Sequence, residues 1–550
     1  MRTEEENKEI AELLFPEVKE STKDIFKKYP RRNIPESQLV VRFAPSPTGF
    51  LHVGSVYTSL INRKLADQTN GICILRIEDT DKKREIEGGV DLIINGLKEF
   101  GIKFDESIKG GEYGPYIQSE RKDIYKVFAK DMIERGCAYP CFATEEKLED
   151  IRKKQSGSGE RTGYYGKWAI WRDANADDIK RVLNEGRKFV VRLYSTGNFR
   201  NKFTFNDLIK GNCTFSENDM DVVLLKSDGL PTYHFAHPID DTLMGINLII
   251  RTHEWFPSVP LHLEIFDKLG FDRITYAHPS PLMKMDGGNK RKLSKRKDPE
   301  ADASFFLQEG YPQVGILEYF LGIMNSNFEE WRIQNPYLPY TDFELKLEKF
   351  NKAGALFDMV KLTDVCKEYI SRLSAEDVYN FVIEWAQKFN QDIYERMFNY
   401  KDYCIHIFNI EREGERIRKD MSKWSDAVEQ FEIFFDDMFD NMKKDSLDMD
   451  STLQESILTQ FLNTYYYGDS STEWFEKIKK IAQDNGFAID YKEYEKEPSK
   501  YKGRVGDVAG VIRVAITGKK QSPDLYQVMQ VMGENKVRER IGKYIMNVLK

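Results

Sequence analysis

Arg42-Phe-Ala-Pro-Ser-Pro-Thr-Gly-Phe-Leu-His-Val-Gly-Ser55 is the stretch from which the fold can be read. Residues 39–43, Leu-Val-Val-Arg-Phe, read as a short buried strand, and the prolines and glycine at 45, 47 and 49 make a turn. Val53 to about Asp67 suits a helix, and Ile72-Cys-Ile-Leu-Arg-Ile77 gives a second strand ending in acids. Strand, turn, helix and strand make a β-α-β unit and imply a parallel sheet. Further strands are expected at 189–193, 222–225 and 247–250. Ligands of open α/β sheets bind beyond the C-terminal strand ends, where Arg42, Glu78 and Arg251 fall.

Working outward, residues 1–38 read as one or two polar helices with a sparse apolar stripe of Ile10, Leu13, Leu14, Val18 and Ile25. Two roles stay open for them: an appendage packed on the surface, or an arm touching RNA through Lys27, Lys28, Arg31 and Arg32. Beyond residue 373 the pattern becomes helical. Ser374-Ala-Glu-Asp377 resembles a capping box, and Val378, Phe381, Val382, Trp385 and Phe389 follow at helical spacing. Further apolar stripes run through Val428, Phe431, Phe435, Met438 and Phe439 and through Leu453, Ile457, Leu458, Phe461 and Tyr465. An all-helical second half is expected.

At 550 residues the chain exceeds one hydrophobic core, so several domains are expected. The net charge of −8 means that a nucleic-acid partner must be held by a local basic surface. The six cysteines lack paired C-x-x-C spacing, which favours a reduced, cytoplasmic compartment over a disulfide framework. No apolar run is long enough to cross a bilayer.

Two segments carry chemistry. The turn before Val53 opens a helix whose amides near Gly54 and Ser55 form a candidate anion site, with His52 placed to donate to a phosphate. Far along the chain, Lys292-Leu-Ser-Lys-Arg296 lies in a cationic run broken by glycines. Lys292, Lys295 and Arg296 suit a triphosphate whose charge shifts to leaving pyrophosphate. Donors aimed at developing charge are each worth roughly 10²- to 10³-fold in turnover.

The first segment resembles the signature of glutamyl- and glutaminyl-tRNA synthetases, and Lys292-Leu-Ser-Lys-Arg296 resembles the second class I signature, written KMSKS. Residues 75–81, 116–121 and 226–233 are similar to the family as well, so nearly the whole chain after residue 38 is covered. The resemblance implies an α/β fold: a Rossmann-like class I synthetase catalytic domain (39–115 and 210–300) with an α+β acceptor-stem insertion (116–209). A helical stem-contact region (301–372) and an all-α anticodon-binding domain (373–550) are expected to follow.

The same resemblance implies that Arg42 and Tyr233 read the side-chain carboxylate of glutamate, that Ala44 and Ser46 line its pocket, and that Glu78 and Arg251 hold its amino and α-carboxylate groups. It assigns His52, Gly54, Ser55, Glu254, Leu293, Ser294 and Lys295 to ATP, which would arrive with Mg²⁺, and makes His52, Lys292, Lys295 and Arg296 catalytic. His237 stands where many relatives have asparagine, so a substrate contact and a buried, satisfied polar residue both stay open. Thr252-His-Glu-Trp255 departs from the common Gly-Glu-Asp-His. Cys141 survives from a zinc set found in many relatives, but Ala143 and Trp168 occupy partner positions, so no zinc is expected.

Candidate tRNA contacts are Arg161, Lys167 and Arg172 in the insertion and Arg412, Arg416 and Arg418 in the helical domain. The expected partners are L-glutamate and tRNA-Glu, with tRNA-Gln open as a second acceptor, and the expected state is a monomer away from membranes. A glutaminyl-tRNA synthetase would carry a β-barrel anticodon domain, which this helical last third does not suggest. A short glutamylating paralogue would lack that half altogether. A silent RNA-binding relative would have decayed ATP motifs, whereas His52, Gly54, Lys292, Ser294 and Lys295 are present.

Overall fold

The computed structural model describes residues 2–294, 296–352, 354–414 and 417–549. Two compact units divide the chain: Met1–Phe305 with Leu317–Asp358, and Phe306–Ile316 with Met359–Lys550. The second unit therefore begins before residue 373 and takes an earlier segment with it.

In the first unit, β1 (Val40–Phe43), α1 (Val53–Gln68) and β2 (Ile72–Leu75) form the expected β-α-β unit, with β1 and β2 parallel. All four β1 residues are buried, so the strand needs no polar alternation. The second strand ends at Leu75, two residues short of expectation. Beyond it the chain still bonds to the continuation of β1, through the Arg76 and Glu78 amides on the Phe43 and Pro45 carbonyls, while Ile77 exchanges backbone hydrogen bonds with Tyr116 and Gln118 on its other side.

Later in the chain come α2 (Tyr233–Leu243), β3 (Leu248–Ile250), α3 (Val259–Leu269) and β4 (Thr275–Ala277), with β3 parallel to β4. Asn247 ties the two strand pairs together: its amide donates to the Val40 carbonyl at 3.1 Å, and its side-chain oxygen accepts from the Val40 amide at 2.8 Å. Val40, Ile74, Ile249, Phe266 and Tyr276 share the core beneath them.

An antiparallel sheet of Ala138–Cys141, Val190–Leu193 and Val223–Leu225 lies between these halves of the chain, as does a hairpin of Lys202–Asp207 and Gly211–Ser216. Both run past residue 209, because the insertion's central strand needs residues 223–225 as its second neighbour.

The N-terminal segment is part of this core. Its helix Glu4–Leu14 opens with a Thr3–Glu6 capping box, and a second helix spans Thr22–Lys28. Ile10, Leu14, Val18 and Ile25 pack with Tyr125, Phe128 and Met132, while Leu13 of the expected stripe faces solvent. Its cations are paired: Lys27 with Asp24, Lys28 with Glu20, Arg31 with Asp272 and Arg32 with Glu106. Arg32 is buried, holding Glu106 through two bonds of 2.7 and 2.8 Å.

Among its described residues the second unit contains helices and no strand. Ser374 and Asp377 form the capping box of Ala375–Phe389, and Val378, Val382, Phe431, Ile457, Phe461, Val511 and Ile541 share one core. Phe389, expected in the apolar stripe, is largely exposed.

Candidate active site

A cavity of about 370 Å³ opens beyond the C-terminal ends of β1, β2 and β3. Its wall includes Arg42, Ala44, Ser46, His52, Gly54, Ser55, Glu78, Tyr233, Arg251, Glu254 and Lys292, residues 250 positions apart in the chain. His237, Leu293, Ser294 and Arg296 do not line it. Lys295 lies outside the described residues.

At the start of α1, His52 is the N-cap, and its Nδ1 accepts the Gly54 amide at 2.8 Å. The Ser55 amide donates to the His52 carbonyl at 2.7 Å. Both amides expected to meet an anion are thus taken by His52. The neutral imidazole consequently carries its proton on Nε2. A side chain at Gly54 would place Cβ 3.0 Å from His52 Nδ1, so glycine keeps this cap intact.

Arg42 projects from β1 with Nε donating to both Asp241 oxygens, at 3.0 and 3.1 Å, and Nη1 donating to the Ile250 carbonyl. Its Nη2 has no hydrogen-bond partner among the described residues. Asp241 also accepts from Arg76 Nη1 at 2.6 Å, and Arg76 Nη2 donates to Glu78 at 3.2 Å. The two arginines hold Asp241 well below the usual carboxylate range despite its burial. Burial pushes Glu78 the other way, up to about 7, against the pull of Arg76 and Arg42. Glu78 is therefore poised to be a carboxylate when a cation enters.

Arg251 leaves β3 in a ring of aromatic partners. Nη1 donates to the Tyr233 hydroxyl at 3.3 Å, and Nη2 to the Trp255 carbonyl at 3.3 Å. Tyr233 packs against Trp255 with ring centroids 4.1 Å apart, so Trp255, half-exposed on the cavity wall, is a site residue the sequence reading did not single out. His237 belongs behind this wall. It is fully buried, with Nδ1 2.6 Å from Asp241 and Nε2 2.9 Å from the Tyr276 hydroxyl, and it stacks on Tyr233. Of its two open roles, the buried one fits this placement, with Nε2 bonded to Tyr276 and Nδ1 close to Asp241 but outside hydrogen-bond geometry, and burial lowers its pKa to about 3.

The second signature begins on a hairpin, β5 (Leu282–Asp286) and β6 (Asn289–Lys292), turned by Gly287 and Gly288 at φ 55° and 87°. Positive φ at both central residues matches the twist of a two-residue hairpin, and glycine adopts it without strain. Lys292 ends β6 and pairs with Glu254 across the cavity mouth. Leu293 is buried with its amide on the Leu282 carbonyl, and the Ser294 amide donates to Asp298, which explains their absence from the wall. Arg296 is exposed and makes no ion pair among the described residues.

The candidate tRNA contacts divide. Lys167 is exposed beside Glu160, and Arg161 pairs with Asp219 while lying 3.8 Å over the Phe199 ring. Arg172 is largely buried against Asp221 and the Ser195 carbonyl. Arg412 donates to the carbonyls of Ile370, Leu373 and Phe408, so the edge of its guanidinium joins helix ends. Arg418 pairs with Asp420, and Arg416 lies outside the described residues.

The Cys141 thiol donates to the Tyr164 hydroxyl at 3.4 Å, and Trp168 donates to Glu160. Among the described residues, no three His, Cys, Asp or Glu side chains are grouped to hold a metal ion, and no helix is long and apolar enough to cross a membrane.

The chain was compared with known proteins. Residues 38–349 match the family model "tRNA synthetases class I (E and Q), catalytic domain", and residues 494–545 match "Anticodon binding domain". A glutamate–tRNA ligase of Clostridium perfringens (strain SM101 / Type A) is 45% identical over 98% of this chain and 99% of its own length. One from Acetivibrio thermocellus is also 45% identical, over 98% of this chain and all of its own. A crystal structure of a glutamate tRNA ligase from Elizabethkingia meningosepticum, in complex with its amino acid, superposes with a TM-score of 0.74 at 26% identity, covering 93% of this chain and 100% of that one. With the catalytic-domain match spanning more than half its length, this chain belongs to the class I tRNA synthetases of the glutamate and glutamine group.

Proposed function

We propose that the chain is a glutamate–tRNA ligase, which activates L-glutamate with ATP and esterifies tRNA-Glu with it. The observation that carries this reading is the wall of one cavity, where Arg42, Arg251 and Glu78 meet His52 and Lys292. Two cationic groups and one anionic group match a substrate bearing two carboxylates and one ammonium. Arg42 and Tyr233 take the side-chain carboxylate, Arg251 the α-carboxylate and Glu78 the ammonium, beside Ala44 and Ser46.

His52 and Lys292 face the nucleotide, which enters as its Mg²⁺ complex, with Lys295 and Arg296 following on the same signature. A glutamate α-carboxylate oxygen attacks the α-phosphorus, the bond to the bridging oxygen breaks and pyrophosphate leaves. The terminal ribose 2′-hydroxyl of tRNA then attacks the adenylate carbonyl and AMP leaves. Positioning and charge stabilisation account for the catalysis, with no covalent nucleophile.

The enzyme acts as a cytoplasmic monomer, and tRNA-Gln is its candidate second acceptor. Aminoacylation of purified tRNA-Glu and tRNA-Gln, each with glutamate and with glutamine, tests this. Charging of tRNA-Glu with glutamate and not with glutamine is expected, and glutamate on tRNA-Gln would identify the second acceptor. Charging with glutamine, or none at all, would overturn the reading.

A further inference from the structure

Four of the chain's seven histidines, His234, His237, His262 and His278, gather around Arg251 and Tyr233, and none belongs to the family signatures quoted above. Two of them touch the Arg251 guanidinium. Nε donates to His278 Nε2 at 2.9 Å, and Nη1 lies 2.8 Å from His262 Nδ1. Both rings are fully buried, and Arg251 is 5% exposed.

Guanidinium can only donate, so each contacting ring nitrogen must offer a lone pair. That fixes both tautomers. His278 carries its proton on Nδ1, 2.6 Å from Asp207 Oδ2. His262 carries its proton on Nε2, 2.9 Å from His234 Nδ1. A single directed chain therefore runs outward from Arg251 on each side: through His278 to Asp207, and through His262 to His234.

Strength separates these bonds from the others on Arg251. The two histidine contacts, at 2.8 and 2.9 Å, have ordinary hydrogen-bond lengths, whereas those to the Tyr233 hydroxyl and Trp255 carbonyl are 3.3 Å and weak. An incoming carboxylate can displace the long pair while the short pair keeps the guanidinium in place. One N–H of Nη2 has no partner among the described residues and adds to what a ligand can take. Tyr276 supports the guanidinium from one face, 4.5 Å from ring centroid to carbon.

We propose that His262 and His278 are positioning residues, two neutral imidazole acceptors that clamp Arg251 so that its displaceable N–H groups are presented to the amino-acid carboxylate. This rests on the reading of Arg251 as the carboxylate-binding residue. Burial and the neighbouring Arg251 keep both rings neutral: His278 is lowered to about 4 and His262 lies well below the ordinary histidine value. The other groups facing them are His234 and His237 on α2, Asp207 and His253.

The test is glutamate-dependent ATP–pyrophosphate exchange with tRNA present, on the full chain, using variants that keep or remove the acceptor. In His278→Gln an amide oxygen can reach the Nε2 position, and in His262→Asn the Nδ1 position. His278→Leu and His262→Leu have no acceptor. The leucine variants should raise KM for glutamate about tenfold or more, with KM for ATP unchanged and kcat within about threefold, since a misplaced Arg251 guanidinium costs roughly one to two charge-assisted bonds to the carboxylate. The amide variants should recover KM to within about threefold of the parent.

Equal KM values for amide and leucine variants would overturn the proposal, as would parallel loss of glutamate and ATP affinity. If the leucine variants do not fold, as thermal melting would reveal, the amide variants decide alone: a tenfold KM rise in a folded amide variant counts against the clamp, and near-parent KM supports it. Arg251→Ala is measured alongside. An unchanged glutamate KM there would sink the underlying reading of Arg251, whereas a raised KM there with silent histidine variants sinks only the clamp.

Discussion

Arg42 and Asp241, 199 residues apart in sequence, meet at 3.0 Å with their side chains 3% and 0% exposed. Asp241 also receives Arg76, so two buried guanidinium groups share this one carboxylate, with Glu78 as a further partner of Arg76. Removing one member of a buried, paired set costs about 3–5 kcal/mol because the remaining charges stay desolvated. Asp241→Ala should therefore lower the melting temperature strongly and disturb glutamate binding together with it. Asp241 has a depressed pKa in the folded state, so its stabilising share is present above the unfolded value of about 3.9 and is lost as pH falls through the lower folded value. A variant as stable as the parent across this range would show that the pair is idle.

Glu78 titrates in the opposite sense. Its folded pKa, raised to about 7, lies above the unfolded value of about 4.3, so its share of stability falls as pH rises between the two and is level beyond them. Only the carboxylate attracts an ammonium group. The profile of kcat/KM for glutamate should therefore climb through about pH 7, and Glu78→Gln should flatten that limb while lowering its plateau. A Gln variant that keeps the same limb would remove Glu78 from the amino-group role.

Two duties of His52 can be separated by substitution. His52→Ala removes both the N-cap, worth about 1 kcal/mol, and the Nε2 donor. His52→Asn keeps an acceptor for the Gly54 amide but has no Nε2. Turnover should fall roughly 10²- to 10³-fold in both, while the melting temperature drops mainly in the alanine variant and tRNA affinity stays near the parent's. Filter-binding and exchange assays on the same preparations check this.

Lys167 and Arg412 should behave differently from each other. Lys167, an exposed cation, is expected to reduce the salt dependence of tRNA binding by about one unit of log–log slope when replaced by alanine. Arg412→Ala should leave that slope unchanged and destabilise the helical unit, since three backbone carbonyls lose a charged donor, each such bond being worth about 1.5–3 kcal/mol. The reverse pattern would reassign both residues.

What the sequence made legible was local. A short strand of mostly apolar residues, a proline-braced turn and a helix start announce β1 and α1 through neighbouring residues, and the ends of β1, β2 and β3 then place Arg42, Glu78 and Arg251 at the cavity. Partners distant in sequence were not legible. Nothing near Arg42 points to Asp241, although two adjacent acids, Asp240 and Asp241, among the apolar residues of α2 were a usable signal of buried cations. Arg412 looked like part of a basic surface because its chemistry is identical whether it meets phosphates or carbonyls. Trp255 stood in a motif that departs from the common one, without a role, and only the packing on Tyr233 shows what the departure supplies.

The N-terminal helices have a consequence for synthesis. Ile10 and Leu14 leave the ribosome well before Tyr125, Phe128 and, later still, Val191, with which they pack. At about 5–20 residues per second, that wait is on the order of ten seconds. During it, the apolar face that Ile10, Leu14 and Ile25 present to those partners stays in water.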